Sequence, residues 1–170
     1  MNSAFKDHFS NQATDYARFR PNYPADLFAW LAGIAPARGT AWDCGTGSGQ
    51  AAVGLAAHFE RVIATDPSRK QLEHAEPHPR IDYRLAPAEV SLLDTASIDL
   101  VTVAQAIHWF DLDKFYAEAK RVLKPGGIIA AWTYTLLDVE AGVDTLVSDY
   151  YRNVVGPYWP PERKMVDDRY

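Results

Sequence analysis

One cysteine, Cys44, is all that the 170-residue chain carries, so no intramolecular disulfide can staple it and a reducing compartment is the expected setting. The opening residues place Lys6, Asp7 and His8 where a signal peptide needs an apolar stretch, and the expectation is a cytoplasmic protein. No run reaches membrane-spanning length, the longest apolar candidates being 100–107 and 126–132. Seventeen Lys and Arg stand against 22 Asp and Glu, a formal net charge of −5, with no basic stripe of the kind that tracks a phosphate backbone. Nucleic acid and membrane surfaces are therefore not expected partners. Metal chemistry lacks a ligand pattern as well. His74 and His78 are four apart, but Pro77 and Pro79 break the helix that would align them. What is present is ordinary: 48% hydrophobic, 12% aromatic and 23% charged residues, enough for one packed domain, without internal repeats or low-complexity tracts.

Hydrophobic spacing predicts a helix over 24–35, with Leu27, Trp30, Leu31 and Ile34 on one face and Pro24 at its start. A short strand, Thr40–Cys44, runs into a glycine cluster, and Ala52, Leu55, Ala56 and Phe59 form the next helical stripe. A second strand covers 61–65, and Asp66-Pro67-Ser68 opens a helix to about residue 76. Strands three and four are expected at Ile81–Leu85 and 98–107. Asp111 reads as the N-cap of a helix carrying Leu112, Phe115, Ala119, Val122 and Leu123 inward, which Pro125-Gly126-Gly127 stops before a fifth strand at 128–134. Val143, Leu146, Val147, Tyr150 and Val154 make a last helical stripe.

Near-continuously apolar strands alternating with helices define an α/β protein with a parallel sheet covered on both faces. In such sheets ligands lie beyond the carboxyl ends of the strands. The loop after strand one reads Asp43-Cys44-Gly45-Thr46-Gly47-Ser48-Gly49. Gln50 stands where a dinucleotide fingerprint needs its third glycine, and no Gly-Lys-Ser/Thr forms a P-loop, so both phosphate-binding readings lose ground. What remains is an acidic residue ahead of a G-x-G-x-G loop and a second acid, Asp66, ending strand two.

This pairing resembles the class I S-adenosylmethionine-dependent methyltransferases. The resemblance implies a Rossmann-like three-layer sandwich with strand order 3-2-1-4-5. It implies S-adenosylmethionine as cofactor, with Asp43, Gly45, Thr46, Gly47 and Gly49 in its loop and Asp66 and Pro67 at the ribose. Ala88 and Glu89, after strand three, would meet the adenine, and Ala104 and Gln105, after strand four, the methionine part. His108 and Trp109 would face the acceptor, His108 serving as base where the acceptor carries a proton. Blander readings stand beside each assignment: Asp66 as a helix cap, Asp43 and Glu89 as solvated loop acids, His108 as a structural histidine.

Tyr16-Ala17-Arg18-Phe19-Arg20-Pro21-Asn22-Tyr23-Pro24, with the His108-Trp109-Phe110 turn and the Tyr158-Trp159-Pro160-Pro161-Glu162-Arg163-Lys164 tail, is more narrowly similar to trans-aconitate methyltransferases and related small-molecule enzymes of the type 11 group. In that branch Arg20 would clamp a carboxylate through its bidentate fork, although it also reads as a plain surface residue. The implied organisation is a single domain: a cap segment over 1–36, a cofactor-binding core over 37–135, and the start of a substrate region over 136–170. Five strands are legible, and the strands with which class I enzymes usually finish are expected to be missing. Strand five is then expected to be an exposed edge, open to dimerisation. The remaining alternatives are a non-catalytic binding module on the same fold and a nicotinamide-dependent oxidoreductase.

Overall fold

The computed structural model describes residues 22–134, 136, 139–168 and 170; Arg20 and most of the N-terminal motif lie outside them. Two compact units divide the chain after Ala131. The first contains α1 (Ala25–Ile34), β1 (Thr40–Cys44), α2 (Gln50–Ala56), β2 (Arg61–Asp66), α3 (Arg69–Glu73), β3 (Ile81–Leu85), β4 (Ile98–Ala104), α4 (Leu112–Val122) and nearly all of β5 (Leu123–Trp132). The strands form one sheet in the order β3-β2-β1-β4-β5, with β1, β2, β3 and β4 paired in parallel. This is the Rossmann-like order expected from the sequence.

Register decides which side chains share a face. Tyr83, Ala64, Asp43 and Thr102 stand in one row across β3, β2, β1 and β4, so all four project from the same side of the sheet. Trp42, one residue earlier on β1, projects from the other side. There its indole N–H donates to Thr65 Oγ1 at 2.9 Å and its ring lies 6.4 Å from that of Phe115 on α4. Phe115, Ala119 and Val122 are the inward face of α4, and Asp111 caps it by accepting the Lys114 N–H.

Several local expectations need correction. The buried face of α1 is Phe28, Leu31 and Ala32, while Trp30 and Ile34 are exposed. Phe28 packs against Gly54 of α2, where a Cβ would lie 2.2–2.5 Å from three carbons of its ring. The helix after β2 is capped by Ser68, whose hydroxyl accepts the Gln71 N–H, and not by Asp66. It ends at Glu73, three residues early. Strand four stops at Ala104 and gives way to a single 3-10 turn, Ile107–Trp109. Strand five begins at Leu123, directly after α4, so Pro125-Gly126-Gly127 and Lys124 belong to the strand; Gly126, at φ +79°, turns the chain inside it. Lys124 there pairs with the buried Asp99 at 2.8 Å. β5 is an edge of the described sheet, and none of its residues is fully buried.

The second unit carries α5 (Ala141–Asp149), a π-helical continuation (Tyr150–Val155), a 3-10 turn (Gly156–Tyr158) and α6 (Arg163–Asp167). The expected stripe of Val143, Leu146, Val147, Tyr150 and Val154 is helical, but only Val147 is half-buried and the other four are exposed. Within this unit the Arg163 guanidinium lies over the rings of Tyr151 and Trp159, 5.5 and 5.0 Å from their centroids. Among the described residues no helix is long and apolar enough to cross a membrane, and no cluster of His, Cys, Asp and Glu could hold a metal ion. The two histidines weighed for metal have other partners: His74 Nδ1 meets the Lys70 carbonyl, and His78 Nδ1 accepts the Arg80 N–H.

Candidate functional site

The carboxyl ends of β1, β2, β3 and β4 converge around the loop 45–49. All three of its glycines are left-handed, at φ +70°, +58° and +88° for Gly45, Gly47 and Gly49. Gly45 is needed for close approach as well, since a Cβ there would sit 2.7 Å from that of Ala106 and 3.1 Å from the Phe110 ring. At Gly49 a Cβ would collide with the Tyr83 hydroxyl and lie 2.9 Å from a ring carbon. Gly47 differs: the nearest atom to its Cβ position is Gln71 Oε1, at 3.9 Å.

Asp43 is fully buried and holds this loop in place. Thr46 Oγ1 donates to one carboxylate oxygen at 2.5 Å and Thr102 Oγ1 to the other at 2.7 Å. The Ala52 N–H of α2 donates to it as well. Burial pushes the carboxyl up to about 6 against the pull of these three donors, and the charge of Asp66 adds to the rise. A solvated loop acid is thus ruled out; Asp43 ties β1, β4, the glycine loop and α2 together. Gly45 and Thr46 anchor the loop's other side by donating their N–H groups to the Thr65 carbonyl, each at 2.9 Å.

Asp66 ends β2 beside the loop and is 8% exposed. Its Oδ2 accepts the Gly47 N–H at 2.9 Å and its Oδ1 the Ser68 N–H at 2.8 Å. These two bonds fix the plane of the carboxylate, and Pro67 holds the turn into α3. Ala88 is buried after β3. Glu89 Oε1 accepts the Asp111 N–H at 2.9 Å in an exposed bond, which links the β3 exit loop to the start of α4. Ala104 ends β4, and Gln105 follows at φ +58°, an uncommon conformation for a residue with a Cβ. His108 and Trp109 stack on one another with ring centroids 4.7 Å apart in the turn that follows. Every cofactor residue expected from the sequence therefore lies at a strand end of this sheet or in the loop just beyond it.

Two buried polar side chains beside the loop went unread in the sequence. Gln71 of α3 is 5% exposed, and its Oε1 accepts no hydrogen bond. The Tyr83 hydroxyl is likewise buried without a partner, and burial pushes it up to about 12, the charges of Asp43 and Glu76 adding to the rise. A polar residue three positions after a helix cap is unremarkable in a sequence; only the packed fold marks these atoms as sealed from water.

A parallel sheet with its acid-anchored glycine loop at the first strand and a carboxylate at the second defines a Rossmann-like nucleoside-binding site. Residues 42–131 match the family described as Methyltransferase domain. The chain belongs to this family, the class I S-adenosylmethionine-dependent methyltransferases. It is 42% identical over 170 residues to a Dictyostelium discoideum protein named for the methyltransferases, covering 98% of this chain and 65% of that protein. A Saccharomyces cerevisiae relative, named among the S-adenosylmethionine-dependent methyltransferases, is 31% identical over 132 residues, 72% of this chain and 45% of that one. A solved structure from Anaeromyxobacter dehalogenans, assigned to the type II methyltransferases, superposes with a TM-score of 0.79 at 53% identity, covering 87% of this chain and 63% of its own. The chain thus spans between about half and two-thirds of the length of these relatives.

Proposed function

We propose that this chain binds S-adenosylmethionine at the glycine loop and carries the donor side of a methyl transfer to a small-molecule acceptor, a carboxylate oxygen being the favoured target. The observation that carries the reading is Asp66, whose carboxylate is oriented by the Gly47 and Ser68 amides at the end of β2. A carboxylate in that place accepts hydrogen bonds from the two ribose hydroxyls of a nucleoside, and the cofactor brings no pyrophosphate for it to repel.

Transfer from a sulfonium is an in-line displacement: the acceptor atom takes the methyl carbon while the carbon–sulfur bond breaks and its electron pair returns to sulfur. No protein nucleophile takes part. The protein holds donor carbon and acceptor roughly 3–3.5 Å apart with water excluded. A carboxylate acceptor needs no base, and the sequence likeness of the Arg20 motif to trans-aconitate methyltransferases supports a guanidinium clamp for it. For a hydroxyl or amine acceptor, His108 stands in the turn after β4 as the candidate proton acceptor.

Calorimetric titration with S-adenosylhomocysteine, run beside NAD, tests the reading on three chains. The wild type is expected to bind the homocysteine nucleoside and not NAD, Asp66→Ala to lose it, and His108→Ala to bind normally. Equal loss of affinity in both variants, or preference for NAD, would refute the assignment.

A further inference from the structure

The side chains that crowd Gly45 both come from the turn after β4. The Cβ of Ala106 lies 2.7 Å, and Cζ and Cε1 of the Phe110 ring lie 3.1 and 3.4 Å, from the point where a Cβ on Gly45 would stand. The stretch between these two residues is closed on itself: the Trp109 N–H donates to the Ala106 carbonyl at 3.0 Å, and the Phe110 N–H to the Ile107 carbonyl at 3.1 Å. It carries His108 and Trp109. The Phe110 ring also lies 5.1 Å from that of Phe115, which is fully buried on α4 and stands 6.4 Å from the ring of Trp42 on β1. Phe110 thus touches the glycine loop, ends the turn and rests on the core at once. Core filling alone does not call for this ring. A leucine would still meet Phe115, whereas the atoms that reach Gly45 are the far end of the ring, which leucine lacks.

We propose that Phe110 is a positioning residue for the transfer: it sets the spacing between the glycine loop, which holds the donor, and the turn carrying His108 and Trp109 on the acceptor side. This rests on the cofactor reading above. Phe110 acts through Gly45 and the turn, not on the reacting atoms. An in-line displacement depends on that spacing, since a displacement of about 1 Å between donor and acceptor can cost on the order of a hundredfold in rate. Glycine at 45 is part of the device, because its bare backbone lets the ring end reach the loop itself.

The test follows the indole N–H signal of Trp109 in ¹⁵N-labelled chains, identified by its loss in Trp109→Phe, while S-adenosylhomocysteine is added to saturation. Calorimetry and thermal unfolding are run on each chain. In the wild type the signal is expected to shift. Phe110→Leu is expected to lose more than about half of that shift while binding the nucleoside within about threefold of the wild type. Phe110→Met, whose longer side chain reaches toward Gly45 again, is expected to recover part of it. A merely structural role would lower the unfolding midpoint of the leucine variant and leave the Trp109 response intact. Ala106→Gly, which removes the other side chain facing Gly45, takes the place of the leucine variant should that chain unfold, and the same loss is expected of it. A wild-type signal that does not move at saturation, a leucine variant that keeps the full shift, or a methionine variant no better than leucine overturns the proposal while leaving the cofactor reading intact. A wild type that binds no nucleoside by calorimetry overturns the cofactor reading and this inference with it.

Discussion

Replacing Asp43 by asparagine should make the fold more stable at neutral pH, although Asp43 is the most connected side chain of the glycine loop. Its carboxyl moves from 3.8 in the unfolded chain to about 6 in the folded one because burial outweighs the hydroxyl donors Thr46 and Thr102. An acid whose folded value is raised favours the folded state only when protonated. The cost of burying its charge is thus fully present above pH 6, shrinks as the pH falls between 6 and 3.8, and disappears below 3.8. With one unit worth 1.36 kcal/mol, the cost is about 3 kcal/mol at pH 7.5, about 1.6 at pH 5 and about 0.6 at pH 4. Asparagine has nearly the same shape and carries no charge. The two threonine hydroxyls, which donate to the carboxylate, can rotate to accept from its NH₂ group. Urea unfolding of both chains across pH 4–7.5 should therefore show the variant more stable by about 1–3 kcal/mol at pH 7.5, with the gap closing toward pH 4. A gap that does not change with pH, or a variant less stable at pH 7.5, would refute the reasoning.

Gly49→Ala should destabilise the chain by about 2–4 kcal/mol, because alanine must adopt φ +88° and press its Cβ into Tyr83; chemical denaturation within 0.5 kcal/mol or so of wild type would contradict this. Glu118 accepts the N–H and hydroxyl of Ser91 and is paired with Arg121, which holds its carboxyl down at about 2. A depressed acid stabilises the fold above its unfolded value, and this contribution fades as the pH falls from 4.5 through 2. Glu118→Gln should accordingly cost about 1–2 kcal/mol at pH 7 and next to nothing near pH 2, read as the difference between the two chains' unfolding midpoints.

The elements that need only local information were legible in the residues themselves. Strands β1 and β3 fall where the sequence reading expected them, and the loop glycines adopt the left-handed backbone that only glycine enters freely. The Asp111 cap of α4 was equally plain, since the capping hydroxyl or carboxylate and the amide it receives lie three residues apart. Where a local rule failed, a distant partner had overridden it. Asp66 looked like the cap of the next helix, but its carboxylate is shared with the Gly47 amide 19 residues earlier, and Ser68 takes the cap instead. Pro125-Gly126-Gly127 looked like a stop between helix and strand, but pairing into the sheet edge carries the strand through it.

The sequence by itself therefore determined the strand–helix alternation, the conformation of the glycine loop and the acids at its flanks, because each depends on backbone preferences within a few residues. Only the tertiary structure decided what those acids do. The hydroxyl that holds Asp43 from β4 comes from Thr102, 59 residues away, and it arrives only because the β1–β4 register sets the two in one row. The unpaired oxygen of Gln71 beside Gly47 exists only once α3 is packed against the loop, since an amide exposed to water in the unfolded chain is never without a partner.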